Sequence, residues 1–381
     1  MTASSNKSKS QRRVSALLAW FATSARDLPW RRTRDPYAIW ISEIMLQQTQ
    51  VKTVIPYWNR WMTALPNVKS LAAAAPQTVL KLWEGLGYYT RARNLQRAAQ
   101  LITTQHNGRF PETFDAILTL PGVGRYTAGA ISSIAFNQPA PILDGNVIRV
   151  ITRLFDIAAN PKKKAVNEQL WTLARELVET AHNLPEQCAD NLPRCSHLNQ
   201  SLMELGALIC TPQNPRCAEC PVQLDCAAHR AGRAAELPNL RPRTKATARR
   251  VIAFVIEHNG RLLVRQRPTA AVNAHLWEFP NAEVGHNPGA ITHADPRDSL
   301  AQFAREQLGL PLTNFAPLIT MRHSITRYRI TLEAHRARWT GKSNAAKNAG
   351  RWLTVEELHA LAFTSAHRKI LKHLQTTAVT C

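Results

Sequence analysis

The sequence lacks any uninterrupted apolar run long enough to cross a membrane, since charged residues break its richest stretches. Residues 1–13 are polar and basic and lack the apolar segment that a secretory signal requires. We therefore expect an intracellular, cytoplasmic protein. Hydrophobic residues make up 45% of the 381 residues, too high for a disordered basic tail. The length favours two or three domains, each able to bury a core.

Acidic residues are also scarce. The chain has 26 Asp and Glu against 48 Lys and Arg, which gives a formal net charge of +22. Such an excess of positive charge attracts a polyanion, with nucleic acid the first candidate and an acidic membrane surface the second. We favour nucleic acid, because the basic residues are spread over the whole chain rather than gathered in one amphipathic helix.

Cysteines are few, but four of the seven lie close together. Cys210, Cys217, Cys220 and Cys226 have the spacing C-x6-C-x2-C-x5-C. In a reducing compartment this pattern favours a four-thiolate metal site over a pair of disulfides. The spacing alone does not distinguish a zinc ion from a [4Fe–4S] cluster, since both use four thiolates.

Two other cysteines, Cys188 and Cys195, lie in the segment 182–196. They suit a second metal half-site or a redox pair, but we favour a solvated loop with incidental thiols. Cys381, at the end of the chain, indicates nothing.

The hydrophobic periodicity changes once along the chain. Apolar residues recur at three- and four-residue spacing from residue 14 to about 236, which predicts helices. Residues 237–250 are rich in basic residues and proline and are typical of an exposed linker. The period is two in parts of 251–381, which predicts an α+β domain. We expect residues 1–13 to be disordered.

Local patterns place elements within 251–381. Asn259-Gly260, between two apolar runs at 251–256 and 262–264, predicts a β-hairpin with a type I′ turn. Alternation around 327–333 predicts another strand, and residues 298–309 and 354–374 have a helical pattern.

The first motif with chemical meaning is LPGVGRYTAGA at 120–130. Two glycines two residues apart permit a tight turn with free backbone amides, and the helix that follows presents its positive dipole end, so the pair suits a phosphate. An ordinary bend between helices is the alternative. An acid on a turn, Asp144 within PILDGNV at 141–147, follows shortly and favours the functional interpretation.

The second motif is WISEIMLQQTQV at 40–51, where Glu43 is the one carboxylate in an apolar or neutral helix. Such surroundings raise the pKa of a carboxyl group, as a general acid near neutrality requires. A solvated glutamate on a helix surface is the alternative.

The third motif is GLGYYTRARN at 85–94. Glycines beside adjacent tyrosines and arginines could place an aromatic wedge among bases and cations on phosphates. A turn between helices with a core aromatic is equally compatible with this segment alone.

SEIMLQQTQV, GLGYYTRARN, LPGVGRYTAGAI, LDGNVIRV and the four-cysteine pattern, in this order, resemble the adenine DNA glycosylases of the MutY type. These enzymes belong to the endonuclease III-like helix-hairpin-helix superfamily. The resemblance runs from about Leu28 to Cys226 and continues more weakly to the C-terminus. It implies a mainly α, two-subdomain helix-hairpin-helix glycosylase fold with a [4Fe–4S] cluster at the four cysteines, followed by a Nudix-like domain.

The resemblance also implies the chemistry. Adenine mispaired with 8-oxoguanine or guanine in double-stranded DNA would be removed by a monomeric enzyme at the nucleoid. Glu43 would be the general acid at adenine N7, and Asp144 would stabilise the oxocarbenium sugar, as paired carboxylates do in glycoside cleavage. Asn146 would hold Asp144, and Tyr126 would hydrogen-bond within this group. Bifunctional relatives carry Lys where Tyr126 stands, so we expect little or no strand cleavage.

Further positions match residues of the family that contact DNA or the flipped base. Gln48, Tyr88 and Leu46 match residues that fill and wedge the duplex, and Arg26, Trp30, Arg31 and Gln200 match the adenine pocket. We also assign to DNA binding the residues Gln47, Thr49, Arg91, Gly122, Gly124 and Arg125.

The C-terminal domain resembles the Nudix-like domain by which this family recognises 8-oxoguanine. LWEFP at 276–280 is similar to its W-x-F-P element. Only Glu306 remains of the acidic pattern that a Nudix hydrolase needs for Mg²⁺, so we expect no nucleotide hydrolysis. The lesion-recognition loop of the family matches at Ser324 alone, within MRHSI at 321–325.

Two other functions remain open at this point. One is a glycosylase for thymine or uracil opposite guanine, against which Glu43 and the C-terminal domain argue. The other is a non-catalytic iron–sulfur protein that binds DNA, which would not need Glu43 beside Asp144.

Overall fold

The computed structural model describes residues 3–185, 193–240, 246–284, 296–325, 327–341 and 350–378. The chain divides into two compact units, Met1–Ala74 with Asn94–Pro242, and Ala75–Arg93 with Arg243–Cys381. Within those described ranges, no helix is both long and apolar enough to span a bilayer.

The described part of the first 240 residues is mainly helical, as the periodicity predicts. The helices are α1 Ala3–Ser24, α2 Pro36–Leu46, α3 Val51–Ala64, α4 Val68–Ala73, α5 Pro76–Leu82, α6 Thr90–Gln105, α7 Phe114–Leu118, α8 Arg125–Ile134, α9 Gly145–Leu154, α10 Lys164–His182, α11 Arg194–Leu208 and α12 Ala227–Arg230. Helix α5 and the first turn of α6 belong to the second unit, unlike in the expected helical domain 14–236, and the first unit extends beyond that domain at both ends, to Met1 and to Pro242.

Helix α11 lies at the centre of the first unit. Leu198, Leu202 and Leu205, spaced four and three residues apart, are almost completely buried on one helix face. They belong to one core with Val147 and Ile151 of α9 and with residues of α1, α8 and α10. This packing fixes α9 and α11 against each other, and both helices carry site residues.

Helix α1 begins at Ala3, so residues 3–13 are helical where we expected disorder. The reason lies at Arg13, which is buried although it is charged. Its guanidinium lies 4.6 Å from the centre of the Phe155 ring and donates a 2.8 Å hydrogen bond to the carbonyl of Asp225. A long basic side chain can bury its stem on a core and satisfy its head at the edge, which a count of charges does not reveal.

The hairpin of the predicted helix-hairpin-helix, within the motif at 120–130, connects α7 and α8. Gly122 has a φ of +79°, and a Cβ there would lie 2.6 Å from the side-chain nitrogen Nδ2 of Asn94. Gly129 lies so close to the segment before α9 that a Cβ would be 2.1 Å from the carbonyl oxygen of Pro141. Gly122 thus lets the turn pack against Asn94 of α6, and Gly129 lets α8 approach the segment that leads to Asp144.

The second unit contains a seven-stranded mixed sheet of order β3-β2-β1-β6-β5, with β4 paired to β1 and β7 paired to β2. The strands are β1 Thr247–His258, β2 Arg261–Gln266, β3 Trp277–Glu278, β4 Asn281–Glu283, β5 Leu312–Ile325, β6 Tyr328–Trp339 and β7 Arg351–Leu353. The expected type I′ hairpin is confirmed: His258 pairs with Arg261, and the turn residues Asn259 and Gly260 have φ of +50° and +69°.

Strand β1 begins at Thr247, inside the segment expected to be a linker. Its basic residues have acidic partners on neighbouring strands: Arg249 bonds Glu283 of β4, and Arg250 bonds Glu333 of β6. Residues 241–245, which include Pro242 and three of the basic residues of that segment, lie outside the described ranges.

Helices cover both faces of this sheet. Ala253 and Val255 of β1 pack with helix α15, Ser365–Ala378, whereas Ile252 and Phe254 face helix α13, Pro296–Leu308. The strand expected at 327–333 and the helix expected at 298–309 are therefore present.

The helical pattern at 354–374 is interrupted. Helix α14 spans Val355–His359, and α15 begins only at Ser365. Between them the chain runs beside β3: the amide of Trp277 donates to the carbonyl of Ala362 at 2.8 Å, and the amide of Thr364 donates to the carbonyl of Trp277 at 3.2 Å. Pairing with β3 satisfies this backbone outside a helix, which helical periodicity cannot predict.

Candidate active site

A cavity of about 520 Å³ lies in the first unit, between α2, the turn before it, and the ends of α8, α9 and α11. Many residues predicted from the sequence line it together, although they come from five separate parts of the chain. These are Arg26, Trp30, Arg31, Glu43, Leu46, Gln47, Gln48, Thr49, Tyr126, Asp144, Asn146 and Gln200.

Glu43 lies in the middle of α2, which begins at Pro36 with the Asp35 side chain capping its first amides. The side chain is nearly buried, and its Oε2 accepts a 2.8 Å hydrogen bond from the Tyr126 hydroxyl. Burial raises the pKa of Glu43 to about 7, and the nearby Asp144 raises it too, while the Tyr126 hydrogen bond works in the opposite direction. Near neutral pH this carboxyl group can therefore donate a proton.

Tyr126 is held in the second position of α8. Burial, together with the charges of Glu43 and Asp144, raises the pKa of its phenol well above the usual value. The hydroxyl remains protonated at physiological pH and acts as a donor toward Glu43. Its oxygen also lies 3.3 Å from the sulfur of Met203.

Asp144 caps the N-terminus of α9. Its Oδ1 accepts a 2.8 Å hydrogen bond from the amide of Val147, and its Oδ2 accepts one of 3.1 Å from Asn146 Nδ2. Burial raises the pKa of Asp144, while these hydrogen bonds oppose the shift by stabilising the carboxylate.

Asn146 is itself fixed. Its Oδ1 accepts a 2.9 Å hydrogen bond from Arg149, whose guanidinium also donates to the carbonyls of Gly206 and Cys210 at 2.7 Å each. At Gly206 a Cβ would lie 2.7 Å from the Asn146 Cβ, so only glycine lets α11 approach the start of α9 this closely.

The sequence did not indicate Glu204, which organises one wall of the cavity. Its side chain is 1% exposed and bonds Arg26 at 2.6 and 2.8 Å and Arg31 at 3.0 and 3.1 Å. Burial alone would raise the pKa of Glu204, but the hydrogen bonds from both arginines outweigh it and lower the pKa to about 2. A signal was available, because Glu204 follows Gln200 by four residues and so shares its helix face.

Other predicted pocket residues are held by specific contacts. Trp30 is buried and packs edge-to-face on Trp58 with ring centres 6.1 Å apart. Gln200 donates to Ser196 at 3.1 Å. At the end of α2, Gln48 has a φ of +57°, an uncommon conformation that turns the chain between α2 and α3.

The predicted hairpin residues Gly122, Gly124 and Arg125 do not line this cavity. Gly124 caps α8, and the space around its missing side chain is open, as a backbone approach to phosphate requires. The Arg125 guanidinium lies 4.1 Å from the centre of the Trp171 ring and pairs with Glu168 at 3.1 Å.

Tyr88, Arg91 and Ser324 belong to the second unit. Tyr88 is 47% exposed and has a φ of +46°. Ser324 is exposed near the end of β5, opposite Arg329 of β6.

The four cysteines of the 210–226 segment lie in the first unit and form no disulfides. In the described part of the chain, no three or more His, Cys, Asp or Glu side chains are grouped so that they could hold a metal ion. Buried Arg153 donates to the sulfur of Cys210 at 3.3 Å and to the carbonyl of Thr211 at 2.7 Å. A buried cation beside a thiol suits a site that becomes anionic when four thiolates bind a metal.

Cys195 is buried at the start of α11, with its sulfur 3.9 Å from His182 Nδ1. Its predicted partner Cys188 lies outside the described residues, as does Cys381. Cys195 is therefore a buried core thiol and not the incidental thiol of a solvated loop that we favoured, because helix α11 has already begun at this position. Among the described residues, no group that could hold a metal ion includes it.

Two family models match the chain. Residues 41–176 match the HhH-GPD superfamily of base excision DNA repair proteins, and residues 251–373 match the NUDIX domain. Human adenine DNA glycosylase is 34% identical over 417 aligned residues, covering 94% of this chain and 73% of the human protein. The rat adenine DNA glycosylase is 36% identical over 93% of this chain and 76% of its own length.

This chain belongs to the adenine DNA glycosylase family. The helix-hairpin-helix glycosylase fold and the C-terminal Nudix-like domain predicted from the motifs are confirmed, and the protein is an enzyme, a DNA glycosylase. Among solved structures, a thermostable thymine-DNA glycosylase is 31% identical with a TM-score of 0.52, covering 59% of this chain and 99% of that chain. That likeness is to the helical fold that the adenine-specific family also uses.

Proposed function

We propose that this enzyme removes adenine mispaired with 8-oxoguanine or guanine in double-stranded DNA. The observation that supports the proposal most directly is the hydrogen-bonded pair Glu43 and Tyr126 beside Asp144 and Asn146 in one cavity. A protonated and an ionised carboxyl group in one site are what acid-assisted cleavage of a glycosidic bond needs. The adenine would have to leave the base stack to reach them.

Glu43 would supply the proton. With a pKa of about 7 its carboxyl group is protonated in a large fraction of molecules at neutral pH. Protonation at adenine N7 makes the base a neutral leaving group, and the C1′–N9 bond then breaks with its electron pair going to N9. Tyr126 keeps the glutamate oriented and accepts no proton itself.

Asp144 would face the positive sugar that remains. Its carboxylate is held by the amide of Val147 and by Asn146, so no reorganisation is needed when the charge develops. A water molecule then adds to C1′ and gives its proton to a carboxylate of the site, which completes hydrolysis.

The same site argues against strand cleavage. A bifunctional glycosylase attacks C1′ with an amine, and a phenol such as Tyr126 forms no imine. Among the described residues that line the cavity there is no lysine. We therefore propose a monofunctional enzyme.

We further propose that Cys210, Cys217, Cys220 and Cys226 hold a [4Fe–4S] cluster. Four thiols within one short segment and the Arg153 guanidinium against Cys210 suit that donor set. The cluster would fix the segment after α11 without taking part in bond cleavage. Iron and sulfide analysis of the purified protein tests this, and stoichiometric zinc instead would contradict it.

Recognition of the mispair would involve both units. Gln48 and Tyr88 are each held at positive φ, and Tyr88 is exposed enough to enter a base stack. Ser324 would contact 8-oxoguanine from the exposed face of β5. The excess of positive charge would bind phosphates, so affinity should fall steeply with salt.

Single-turnover release of base from duplexes carrying A opposite 8-oxoguanine, A opposite G and T opposite G tests the proposal. We expect release of adenine from the first two, faster opposite 8-oxoguanine, and none of thymine. Equal release from both adenine duplexes would remove the lesion preference. Release of thymine alone would place the enzyme with mismatch thymine glycosylases, and DNA binding without any release would indicate a non-catalytic protein.

A further inference from the structure

Tyr88 stands at the end of a tight loop in the second unit. Gly85, Gly87 and Tyr88 all have positive φ, at +110°, +72° and +46°. For a tyrosine this conformation is unfavourable and persists only where the surrounding contacts impose it. The backbone of the loop 85–88 must therefore be held by contacts with other residues.

One set of these contacts comes from residues close by in sequence. The Nε1 of Trp83 donates to the carbonyl of Gly87 at 3.0 Å. Arg91 donates to the carbonyls of Leu86 and Gly87 at 3.0 and 3.1 Å, and its guanidinium lies 5.0 Å from the centre of the Trp83 ring. Hydrogen bonds from the Trp83 and Arg91 side chains thus hold the backbone of this loop in place.

The other set of contacts comes from residues near the C-terminus, nearly 280 positions away in sequence. The Oε1 of Glu84 accepts a 2.8 Å hydrogen bond from the amide of Phe363, and its Oε2 lies 3.0 Å from Lys81 Nζ and 3.5 Å from Arg368 Nε. Lys81 also donates to the carbonyl of Leu361 at 2.8 Å. A mostly buried carboxylate, 10% exposed, thus joins two cations and one backbone amide.

Tyr89 reinforces the same contact. Its hydroxyl accepts from the amide of Gly85 at 3.1 Å and lies 3.4 Å from the carbonyl of Phe363. The segment 361–364 is in turn paired with Trp277 of β3, the tryptophan of the W-x-F-P element. A continuous set of hydrogen bonds therefore runs from β3 through residues 361–364 to the loop that presents Tyr88.

We propose that Glu84 is a positioning residue for base-stack entry: it clamps the Tyr88 loop to residues 361–368, so that the Nudix-like domain holds the wedge in its inserted geometry. The inference rests on the proposed function, because it takes Tyr88 as the wedge. Phe363 donates through its backbone and Glu84 accepts through its side chain, so Glu84 can be changed without removing a side chain of the sheet.

The test uses the full chain and a duplex with adenine opposite 8-oxoguanine and 2-aminopurine beside the mispair. Fluorescence of 2-aminopurine rises when its stacking is broken, so it reports wedge insertion separately from base release. We compare Glu84→Ala, the conservative Glu84→Gln and the exposed-site control Glu176→Ala, each alone and with Tyr88→Ala. Circular dichroism and DNA affinity are measured for every variant.

We expect Glu84→Ala to reduce the fluorescence rise and to slow adenine release about tenfold, the factor that corresponds to about 1.4 kcal/mol. Glu84→Gln should restore most of both signals, because its carbonyl oxygen still accepts from Phe363. In the Tyr88→Ala background, Glu84→Ala should slow adenine release by less than about a further twofold. Two residues that act through the same event do not have additive effects.

Equal effects of Glu84→Ala with and without Tyr88 would overturn the inference, and so would an unchanged fluorescence rise. If Glu84→Ala fails to fold, Lys81→Ala, which removes the bond to Leu361 and one cation at Glu84, is used in the same cycle and is expected to reduce both signals only when Tyr88 is present. A wild-type enzyme that raises the fluorescence but releases no adenine would contradict the proposed function and leave the role of Glu84 standing.

Discussion

The Tyr126 hydroxyl donates a 2.8 Å hydrogen bond to Glu43, and this contact sets the pH range in which the site can act. The bond stabilises the ionised form of Glu43 and so holds its pKa near 7, below the value that burial and Asp144 would otherwise impose. An acid catalyst is active while protonated, so the single-turnover rate of adenine release should fall as pH rises through about 7. Asp144 must be ionised, so the rate should also fall on the acid side.

Tyr126→Phe removes that donor and leaves the ring in place. The pKa of Glu43 should rise, and the alkaline limb of the pH–rate profile should move upward by about one pH unit. The measurement is the pH–rate profile from pH 5 to 9, the range in which a general acid with a pKa near 7 titrates, with Glu43→Gln as control. A profile that keeps its alkaline limb in place would show that Tyr126 does not tune the acid.

Glu43→Gln should reduce adenine release by about a thousandfold or more while DNA affinity stays within about twofold, since the amide keeps the shape but donates no acidic proton. Rapid-quench kinetics and a binding titration on the same duplex measure the two quantities. Normal turnover by this variant would mean that another group protonates the base.

Asp144→Asn separates catalysis from helix capping. Asparagine caps helices as well as aspartate does, so the free energy of unfolding should change by less than about 1 kcal/mol. Base release should nevertheless fall by about two orders of magnitude or more, because the developing positive charge loses its partner. Chemical denaturation and single-turnover kinetics together test this, and a parallel loss of stability and activity would contradict it.

The extent to which the sequence predicts the site follows from the range of the interactions. Glu43 was identified because its apolar neighbours are adjacent in the chain, and Asp144 because a turn and a helix start mark it locally. Glu204 depends on Arg26 and Arg31, more than 170 residues away, and no local pattern encodes that pairing. A helix face shared with Gln200 was the one available signal.

The fold shows the same limit. The Asn259-Gly260 turn predicts the β1–β2 hairpin and helical periodicity predicts helices over 14–236, because a two-residue turn and burial on one helix face are local properties. Helical periodicity failed at residues 361–364, where pairing with Trp277 overrides the helical pattern. It also could not assign Ala75–Arg93 to the second unit, since that depends on Glu84 meeting Phe363.

Glu204→Gln should destabilise the first unit, because the buried carboxylate that pairs two arginines is lost. We expect about 3 kcal/mol at pH 7, at the lower end for a broken buried pair since Arg26 is partly exposed. The folded pKa of about 2 lies below the usual 4.5, so this stability is fully present above pH 4.5 and is lost between pH 4.5 and 2. Denaturant unfolding of both proteins at pH 7 and pH 3 measures it, and an equal difference at the two pH values would contradict the assignment.

Ser324→Ala tests lesion recognition separately from chemistry. Ser324 lies on the exposed face of β5 in the second unit, whereas Glu43 and Asp144 lie in the first, so loss of its hydroxyl should leave release from A opposite G unchanged. If Ser324 bonds 8-oxoguanine, the preference for A opposite 8-oxoguanine over A opposite G should fall about three- to tenfold, the effect of one hydrogen bond. Thr320→Ala, an exposed position four residues earlier on the same strand, is the matched control. An unchanged preference in Ser324→Ala would mean that other residues of this domain recognise the lesion. Arg322 and Arg329, on the same two strands, are then the first candidates.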